Sequence, residues 1–319
     1  MIAGGSKSRS HAAPVEHPSQ YSPFPSRVGI GNADGNGLHV PERQQQVDEF
    51  FEGTAAFWRD VYHLDGLWAT VYRQRRVAVL AFVEKLGLPP ETHALDIGCG
   101  AGWMSISLAR RGFRVEAVDT VETMLAETRE LALKTGLGRL IKTSRCDVRR
   151  LPYSTNTFDL ATMIGVAPWL DPLQDPLREV ARVLKPDGHL ILSVDNRWRL
   201  NHLLDPLQFP LLQPVKQRLK GILERTRLRR PVSQACHYFH SAKQTNEVLL
   251  MAGLSKIKGT TAGFGPFTFM HCRLFPQSVE IVLSHKLQDL TNHGLPLLTA
   301  MGRDYIVLAI KPDRSATAG

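Results

Sequence analysis

The stretch Leu95-Asp-Ile-Gly-Cys-Gly-Ala-Gly102 decides the fold of this chain. It starts as a short apolar run, passes into alternating glycines, and is followed by a helical pattern from Trp103 to Arg111. Glycine can adopt positive φ angles and lets the backbone approach a ligand, and the helix after the turn adds a partly positive N-terminal end. This strand–turn–helix unit predicts a ligand site at the carboxyl end of a parallel strand.

Strand and helix patterns continue to alternate after this turn. Apolar runs typical of strands lie at residues 93–97, 114–119, 140–144, 158–164 and 189–194, with helical patterns between most of them. Further on, helices are predicted at 242–252 and 277–291, and strands near 254–261 and at 305–310. Such alternation indicates βαβ units and a mainly parallel sheet covered by helices on both faces.

Composition divides the chain into five segments. We predict a disordered tail, a helical cap with a break at Asp65-Gly66, a nucleotide-binding core, a helical insertion, and C-terminal strands that complete the sheet. In the same order these segments are residues 1–40, 41–90, 91–195, 196–253 and 254–319.

The overall composition excludes some classes of protein. With 43% hydrophobic and 22% charged residues, the chain can form a packed core. Its formal charge of +9 permits an acidic ligand, a nucleic acid or an anionic membrane surface and selects none of them. The four cysteines are widely spaced, which disfavours a disulfide scaffold and a cysteine-rich zinc site. Because we find neither a long apolar run nor a signal-peptide pattern, we expect a cytoplasmic location.

The glycine turn does not fit the common dinucleotide or triphosphate motifs. A GxGxxG motif would place its third glycine at Trp103 or Ser105, and neither position is glycine. A Walker loop would end in Gly-Lys-Ser or Gly-Lys-Thr, which this turn lacks. NAD, FAD and nucleoside triphosphates are therefore disfavoured as ligands.

The turn instead resembles motif I of the class I S-adenosylmethionine (SAM)-dependent methyltransferases. Three further landmarks of that family follow in order: Asp119 at the end of the second strand, Cys146-Asp-Val148, and the helix-turn segment 179–189 before the fifth strand. The resemblance is close over residues 90–195. It implies an α/β fold with a Rossmann-like, seven-stranded, mainly parallel sheet whose last strand, at 303–311, is antiparallel. That the helical insertion covers the substrate is likewise implied by the resemblance.

The resemblance also implies SAM as the cofactor and assigns residues to it. Asp96 would bind the amino group of SAM, and Asp119 would accept hydrogen bonds from both ribose hydroxyls, which suits a bidentate carboxylate. Asp147 would accept from the adenine amine while the N–H of Val148 reaches a ring nitrogen. The other cofactor contacts are expected from Gly98, Cys99, Gly100, Gly102, Thr120, Met124 and Ile164.

The class of acceptor is narrowed mainly by motifs that the sequence lacks. DNA-adenine and DNA-cytosine enzymes carry an Asn/Asp-Pro-Pro-aromatic motif or a Pro-Cys nucleophile, but here Gly165-Val-Ala-Pro-Trp169 follows the fourth strand and no cysteine follows proline. We therefore predict methyl transfer to a small apolar or aromatic molecule, with oxygen as the favoured acceptor atom. RNA methylation, or SAM binding without turnover, are the alternatives. The sequence leaves the oligomeric state open.

Aromatic and histidine residues outside the glycine turn are candidates for the acceptor site. Trp58, Tyr62 and Trp169 can supply an aromatic wall for a planar or apolar ligand. His237 and His240 are candidates for the general base, because histidine can take a proton from an oxygen or nitrogen acceptor. Their segment lacks a carboxylate or further cysteine at ligand spacing, so we expect no metal site.

Residues 212–230 form the most basic segment of the chain. Lysine and arginine greatly outnumber its single acidic residue, Glu224, and apolar residues recur at helical spacing. Such a basic amphipathic helix can lie on an anionic membrane surface, which would make the protein peripheral at the membrane. It can equally cap the active site with its charges in water.

Overall fold

The computed structural model describes residues 40–212, 237–270 and 272–313. The predicted tail, up to residue 39, lies outside these ranges, as does the predicted basic helix except for Leu212, which ends a short 3-10 turn, Pro210–Leu212. The division into five segments stays a prediction. No helix within the described ranges is both long enough and apolar enough to cross a membrane.

Seven strands form one sheet, and a separate hairpin of two short strands lies beside it. In chain order the strands are β1 (His93–Ile97), β2 (Arg114–Asp119), β3 (Ile141–Arg145), β4 (Phe158–Met163), β5 (Leu184–Asp195), β6 (Ser255–Ala262), β7 (Thr268–Phe269), β8 (Cys272–Arg273) and β9 (Asp304–Ile310). The strand order in the sheet is β3-β2-β1-β4-β5-β9-β6. The first five are parallel, and β9 is antiparallel to both of its neighbours. The predicted fold class is therefore confirmed.

Eight α-helices accompany the strands in the described ranges. They are α1 (Val40–Asp60), α2 (Leu67–Leu86), α3 (Trp103–Ala109), α4 (Glu122–Lys134), α5 (Gln174–Val183), α6 (Leu200–Leu204), α7 (Ala242–Met251) and α8 (Gln277–Asn292). The break between α1 and α2 contains the predicted Asp65-Gly66. Gly66, the N-cap residue of α2, has a φ of 125°, a value that favours glycine.

The two faces of the sheet carry separate hydrophobic cores. Successive side chains of a strand point to opposite faces, so Ala94 of β1 packs with residues of α2, α3 and α4. Its neighbour Leu95 packs on the other face with residues of α5 and α7. Both side chains are fully buried. This burial on both sides explains why the strands read as continuous apolar runs.

Strand β5 is longer than the sequence predicts. The Lys185-Pro-Asp-Gly188 segment, which has a turn composition, is a bulge within β5, since Phe158 pairs with Leu184 and Leu160 pairs with His189. Asp187 adopts a positive φ of 58° there, and its N–H donates to the carbonyl of Lys311 at 2.8 Å. Pairing with β4 and with the segment after β9 thus keeps the turn residues inside the sheet.

The carboxyl ends of β1, β2, β4 and β5 meet at one edge of the sheet. Because β9 is antiparallel to β5, its first residue also lies at this edge, and Asp304 is the register partner of Asp195. Helix α1 reaches this edge as well, since Phe51 and Trp58 pack against a small cluster that contains Met124 of α4. The fold therefore brings five strand ends and one helix to the same place.

Candidate functional site

A cavity opens at this edge of the sheet and contains most of the predicted cofactor residues. Those that line it are Asp96, Gly98, Cys99, Gly100, Asp119, Thr120, Met124, Asp147, Val148 and Ile164. Gly102 does not line the cavity. Its φ is 84°, and a Cβ atom there would lie 3.0 Å from the Cα of Thr128, so this glycine allows the turn to pack against α4.

The glycine turn forms the floor of the cavity. At Gly98 φ is 65°, and an added Cβ would lie 2.2 Å from Cγ2 of Val166, so this position requires glycine. The N–H groups of Gly98 and Cys99 both donate to the carbonyl of Val118, at 2.7 and 3.0 Å, which ties the turn to β2. At Gly100 no described atom lies within 4 Å of the Cβ position, so backbone faces open space there.

Asp96 places a buried carboxyl group at the end of β1. Its Oδ2 accepts a hydrogen bond from Ser105 Oγ at 2.6 Å, and its Oδ1 accepts from Thr162 Oγ1 at 2.8 Å. Burial outweighs these hydrogen bonds and raises the pKa of Asp96 to about 6. A cationic ligand group nearby would favour the ionised form, so this end of the cavity suits an ammonium group.

Asp119 ends β2 and is held by backbone N–H groups. Its Oδ2 accepts from Gly100 N and its Oδ1 accepts from Val121 N, both at 3.0 Å. Burial raises the pKa of this carboxyl group, and the backbone hydrogen bonds oppose the rise. A carboxylate fixed in this way still has lone pairs for two further donors.

Polar contacts join α1 to both sides of this region. Thr120 Oγ1 donates to Asp48 Oδ1 at 2.7 Å, and Gln44 Nε2 donates to the same oxygen at 2.8 Å. Gln44 Oε1 accepts from Arg149 Nη2 at 2.6 Å, and Arg149 in turn pairs with Asp147 at 3.3 Å. Gln44 lines the cavity although no sequence signal distinguishes it from other polar residues of α1.

A second part of the cavity lining, the aromatic wall, consists of aromatic side chains. All three predicted acceptor residues lie there, together with others that the prediction did not include: Phe51, Trp58, Tyr62, Tyr72, Trp103 and Trp169 line the cavity. The ring centroids of Trp169 and Phe51 are 5.2 Å apart, and those of Trp58 and Tyr72 are 5.4 Å apart. The Trp103 indole is held by its Nε1, which donates to the carbonyl of Arg59 at 3.0 Å.

A buried ionic cluster that the sequence analysis missed also reaches the cavity. Its carboxylates are the register partners Asp195 and Asp304, and its cations are Arg75, Arg199 and Arg303, all of them buried or nearly so. Like charges on directly opposite residues destabilise a sheet, so this pair requires cations nearby. The cluster comes from α2, β5, β9 and the segments beside them, and no local motif marks it.

The ion pairs of the cluster are longer than ideal hydrogen bonds. Asp195 Oδ2 lies 3.6 Å from Arg199 Nη1 and 3.6 Å from Arg303 Nη2. Asp304 Oδ1 lies 3.5 Å from Arg75 Nη1. Burial by itself would raise the pKa of Asp195, but His237 and the arginines outweigh burial and lower it to about 2. Asp195 is therefore ionised at neutral pH.

The two histidine candidates occupy different places. His237 is buried, lines the cavity and packs edge-on against Trp169, with the ring centroids 5.0 Å apart. Its Nε2 lies 3.4 Å from Asp195 Oδ2, and burial lowers its pKa to about 4, so the ring is neutral at pH 7. His240 does not line the cavity. The backbone N–H of His240 donates to the backbone carbonyl of Asp195 at 3.0 Å and so helps to hold the end of β5.

The described part of the chain contains no group of residues suited to bind a metal ion. Over residues 40–212, 237–270 and 272–313, no group of three or more histidine, cysteine or acidic side chains is placed to hold a metal ion. Cys99 is buried at the floor of the cavity, and burial raises its pKa well above the usual value. This thiol is therefore protonated and a poor nucleophile.

Comparison with known proteins adds sequence evidence. Residues 95–192 match the family model of a methyltransferase domain. The ubiquinone biosynthesis O-methyltransferase of Yersinia enterocolitica is 28% identical over 169 residues, which are 51% of this chain and 66% of that protein. Sterol 4-C-methyltransferase strm-1 of Caenorhabditis elegans is 31% identical over 109 residues, 34% of this chain and 33% of that protein. The chain thus spans between one third and two thirds of the length of these relatives.

A solved structure extends the likeness to the fold. Magnesium protoporphyrin IX methyltransferase (ChlM) from Synechocystis PCC 6803, crystallised with bound SAH, aligns with a TM-score of 0.56 at 17% sequence identity. The alignment covers 84% of this chain and 99% of that one. At this level of identity the comparison shows that the two chains share a fold.

Proposed function

Since residues 95–192 form a class I SAM-dependent methyltransferase domain, we propose that the protein transfers the methyl group of SAM to an oxygen atom of a small acceptor. The acceptor has an apolar or aromatic body. One observation carries this proposal: a single cavity is lined both by the glycine turn with its acidic residues and by the aromatic wall. Ile164 and Gly165, which follow β4, also line it.

The glycine turn and its acidic residues fit the cofactor. Open space at Gly100, a buried carboxyl group at Asp96 and a fixed carboxylate at Asp119 match the backbone approach, the amino group and the ribose of SAM. Asp147 and Val148 line the cavity where the family places adenine. SAM supplies an electrophilic methyl group on a sulfonium sulfur.

The aromatic wall and His237 fit the acceptor and its chemistry. Aromatic side chains can hold a planar molecule in line with the methyl group and keep water away from the reacting atoms. An alcohol or phenol must lose its proton as it is methylated, and the neutral ring of His237 is placed to accept it. Asp195, at 3.4 Å, stabilises the positive charge that the ring then carries.

Oxygen is supported as the acceptor atom by the relative from Yersinia enterocolitica, whose name describes an O-methyltransferase and which matches about half of this chain. The relative from Caenorhabditis elegans is named for transfer to carbon and matches a shorter stretch. The aromatic wall favours a small molecule over the RNA alternative, because ligand cavities for small molecules are lined mainly by apolar and aromatic side chains.

Two measurements test the proposed function. Titration calorimetry with SAM and SAH should show saturable binding of both. Incubation with tritium-labelled SAM and separate metabolite, lipid and RNA fractions of a cell extract should then label a small molecule. Label confined to RNA would contradict the small-molecule acceptor, and tight SAM binding without any label would favour a binding protein without turnover.

Asp119→Ala should weaken SAM binding by roughly 1–3 kcal/mol, the scale for losing hydrogen bonds to a charged acceptor. The reason is that both ribose hydroxyls would lose their carboxylate partner. Calorimetry with SAM measures the change. Glu116→Ala is the matched control, since Glu116 lies on the same strand and does not line the cavity. Equal affinities in the two variants would mean that the ribose site is elsewhere.

SAH affinity should fall as the pH drops below about 6, the pKa of Asp96. Below this value the carboxyl group of the free protein is protonated, and it must lose its proton before it can pair with the ammonium group of the ligand. The dissociation constant should rise by up to about tenfold per pH unit. Titrations at pH 8, 6 and 5 measure this, and Asp96→Asn should bind weakly with little pH dependence. A flat profile in the wild type would remove Asp96 from the ammonium site.

A further inference from the structure

The buried ionic cluster reaches the cavity, since Arg75, Asp195 and Arg303 all line it. Its three arginines face two aspartates among the described residues, and His237 is neutral at pH 7. Burial raises the pKa of Asp304, and the neighbouring arginines oppose the rise. Buried guanidinium groups that line a cavity favour an anionic ligand there, because hydrogen bonds between arginine and an anionic oxygen group are among the strong ones.

Two of the arginines reach the cavity and converge on one tyrosine. Arg75 and Arg303 both line the cavity, and their guanidinium carbons lie 4.8 and 5.6 Å from the centre of the Tyr72 ring. Arg75 Nη1 lies 3.2 Å from the Cβ position of Gly165, directly after β4. Arg75 is therefore beside Gly165, which also lines the cavity.

Polar atoms at this point can still take a ligand. Tyr72 is 1% exposed, and among the described residues its hydroxyl has no hydrogen-bond partner although the side chain lines the cavity. Arg75 Nε is likewise buried without a partner in the described ranges. The ion pairs of Arg75 and Arg303, at 3.5 and 3.6 Å, are longer than the 2.7–2.9 Å typical of charge-assisted hydrogen bonds.

We propose that the acceptor carries an anionic oxygen group of the carboxylate class that binds Arg303 and Tyr72. Arg75 packs over the ring of the same tyrosine. The inference rests on the proposed function and adds its substrate class: an aromatic or apolar body for the aromatic wall and an anionic group for the cluster. The aromatic wall alone would accept neutral molecules, so the cluster acts as the selective element. The carboxylate of the cofactor itself is a second possible source of this anion, and the experiment separates the two.

The test compares two probes of the same shape. The full-length protein is first saturated with SAH and then titrated with 2-naphthoate or with its neutral counterpart 2-naphthamide. We expect naphthoate to bind at least tenfold more tightly than naphthamide. Equal affinities, or no binding of either probe to the SAH-loaded protein, would overturn the proposal.

Two variants locate the anion. Tyr72→Phe should weaken naphthoate about tenfold, the effect of losing one hydrogen bond to a charged group, and should leave naphthamide unchanged. Arg303→Gln should remove the preference for the anion. Tyr305→Phe is the matched control, since Tyr305 is a buried tyrosine whose hydroxyl donates to Asn246 Oδ1 and which does not line the cavity.

The SAH titration that precedes each probe distinguishes a failure of the proposed function from a failure of this inference. If the wild type fails to bind SAH, the proposed function itself is wrong. If Arg303→Gln and Tyr72→Phe weaken SAH instead of naphthoate, the anion is the cofactor's carboxylate and this inference is wrong while the proposed function stands. Because Tyr72→Phe keeps the ring, its result decides the question even if Arg303→Gln does not fold.

Discussion

Asp195→Asn is expected to lower the free energy of unfolding by about 3–5 kcal/mol, the cost of removing one partner from a buried ion pair. The side chain keeps its shape but loses its charge, so Arg199 and Arg303, each 3.6 Å away, remain buried beside a neutral amide. Urea unfolding at pH 7, followed by circular dichroism, measures the change. Asp175→Asn is the control, because Asp175 forms an exposed pair with Arg178 and such pairs contribute about 1 kcal/mol or less.

The loss of stability in Asp195→Asn should depend on pH. Because the pKa of Asp195 is lowered to about 2 in the folded protein, its stabilising contribution is complete above about pH 4 and is lost as the pH falls through 2. The difference in stability between wild type and Asp195→Asn should therefore shrink between about pH 4 and pH 2. A variant as stable as the wild type at pH 7 would mean that the cluster does not hold β5 and β9 together.

His237→Gln is expected to lower kcat by about 10²–10⁴-fold, the usual contribution of a general base. The ring lines the cavity, is neutral at pH 7 and has Asp195 at 3.4 Å to stabilise its protonated form. SAH affinity should change little, because the expected loss is in proton transfer and not in cofactor binding. Turnover is measured with tritium-labelled SAM and the acceptor fraction that the wild type labels.

His240→Gln separates the two histidines that the sequence left as alternatives. Its ring does not line the cavity, so we expect this variant to retain most of the turnover of the wild type. Should His240→Gln lose turnover while His237→Gln keeps it, the assignment of the base would be reversed. If neither variant loses turnover, the acceptor oxygen must reach the site already ionised.

Local patterns identified glycines and carboxylates that line one cavity, and their contacts with a cofactor stay a prediction. Gly98, Gly100, Asp119 and Asp147 each stand at or next to the end of a strand, and the strands are recognisable because both faces of the sheet are buried. In a parallel sheet the carboxyl ends lie together, so residues far apart in sequence can be assigned to one crevice. Their positions follow from strand order alone.

Some local predictions failed because pairing with distant segments overrides local preference. Lys185-Pro-Asp-Gly188 has the composition of a turn, yet β4 and the chain after β9 keep it in β5 as a bulge. The two-residue strands β7 and β8 carry too little pattern to be found. Gly102 belongs to the glycine motif but faces Thr128 instead of the cavity, which the motif could not reveal.

The sequence by itself determined the sheet, the glycine turn and the carboxyl groups at the strand ends, because these depend on periodicity and on conformations that only glycine adopts easily. The ionic cluster was decided only by tertiary structure. Asp195 and Asp304 become neighbours through the antiparallel register of β5 and β9, and Arg75 reaches them from α2. Burial then sets their charge balance, and burial is a property of the packed chain and not of any one segment.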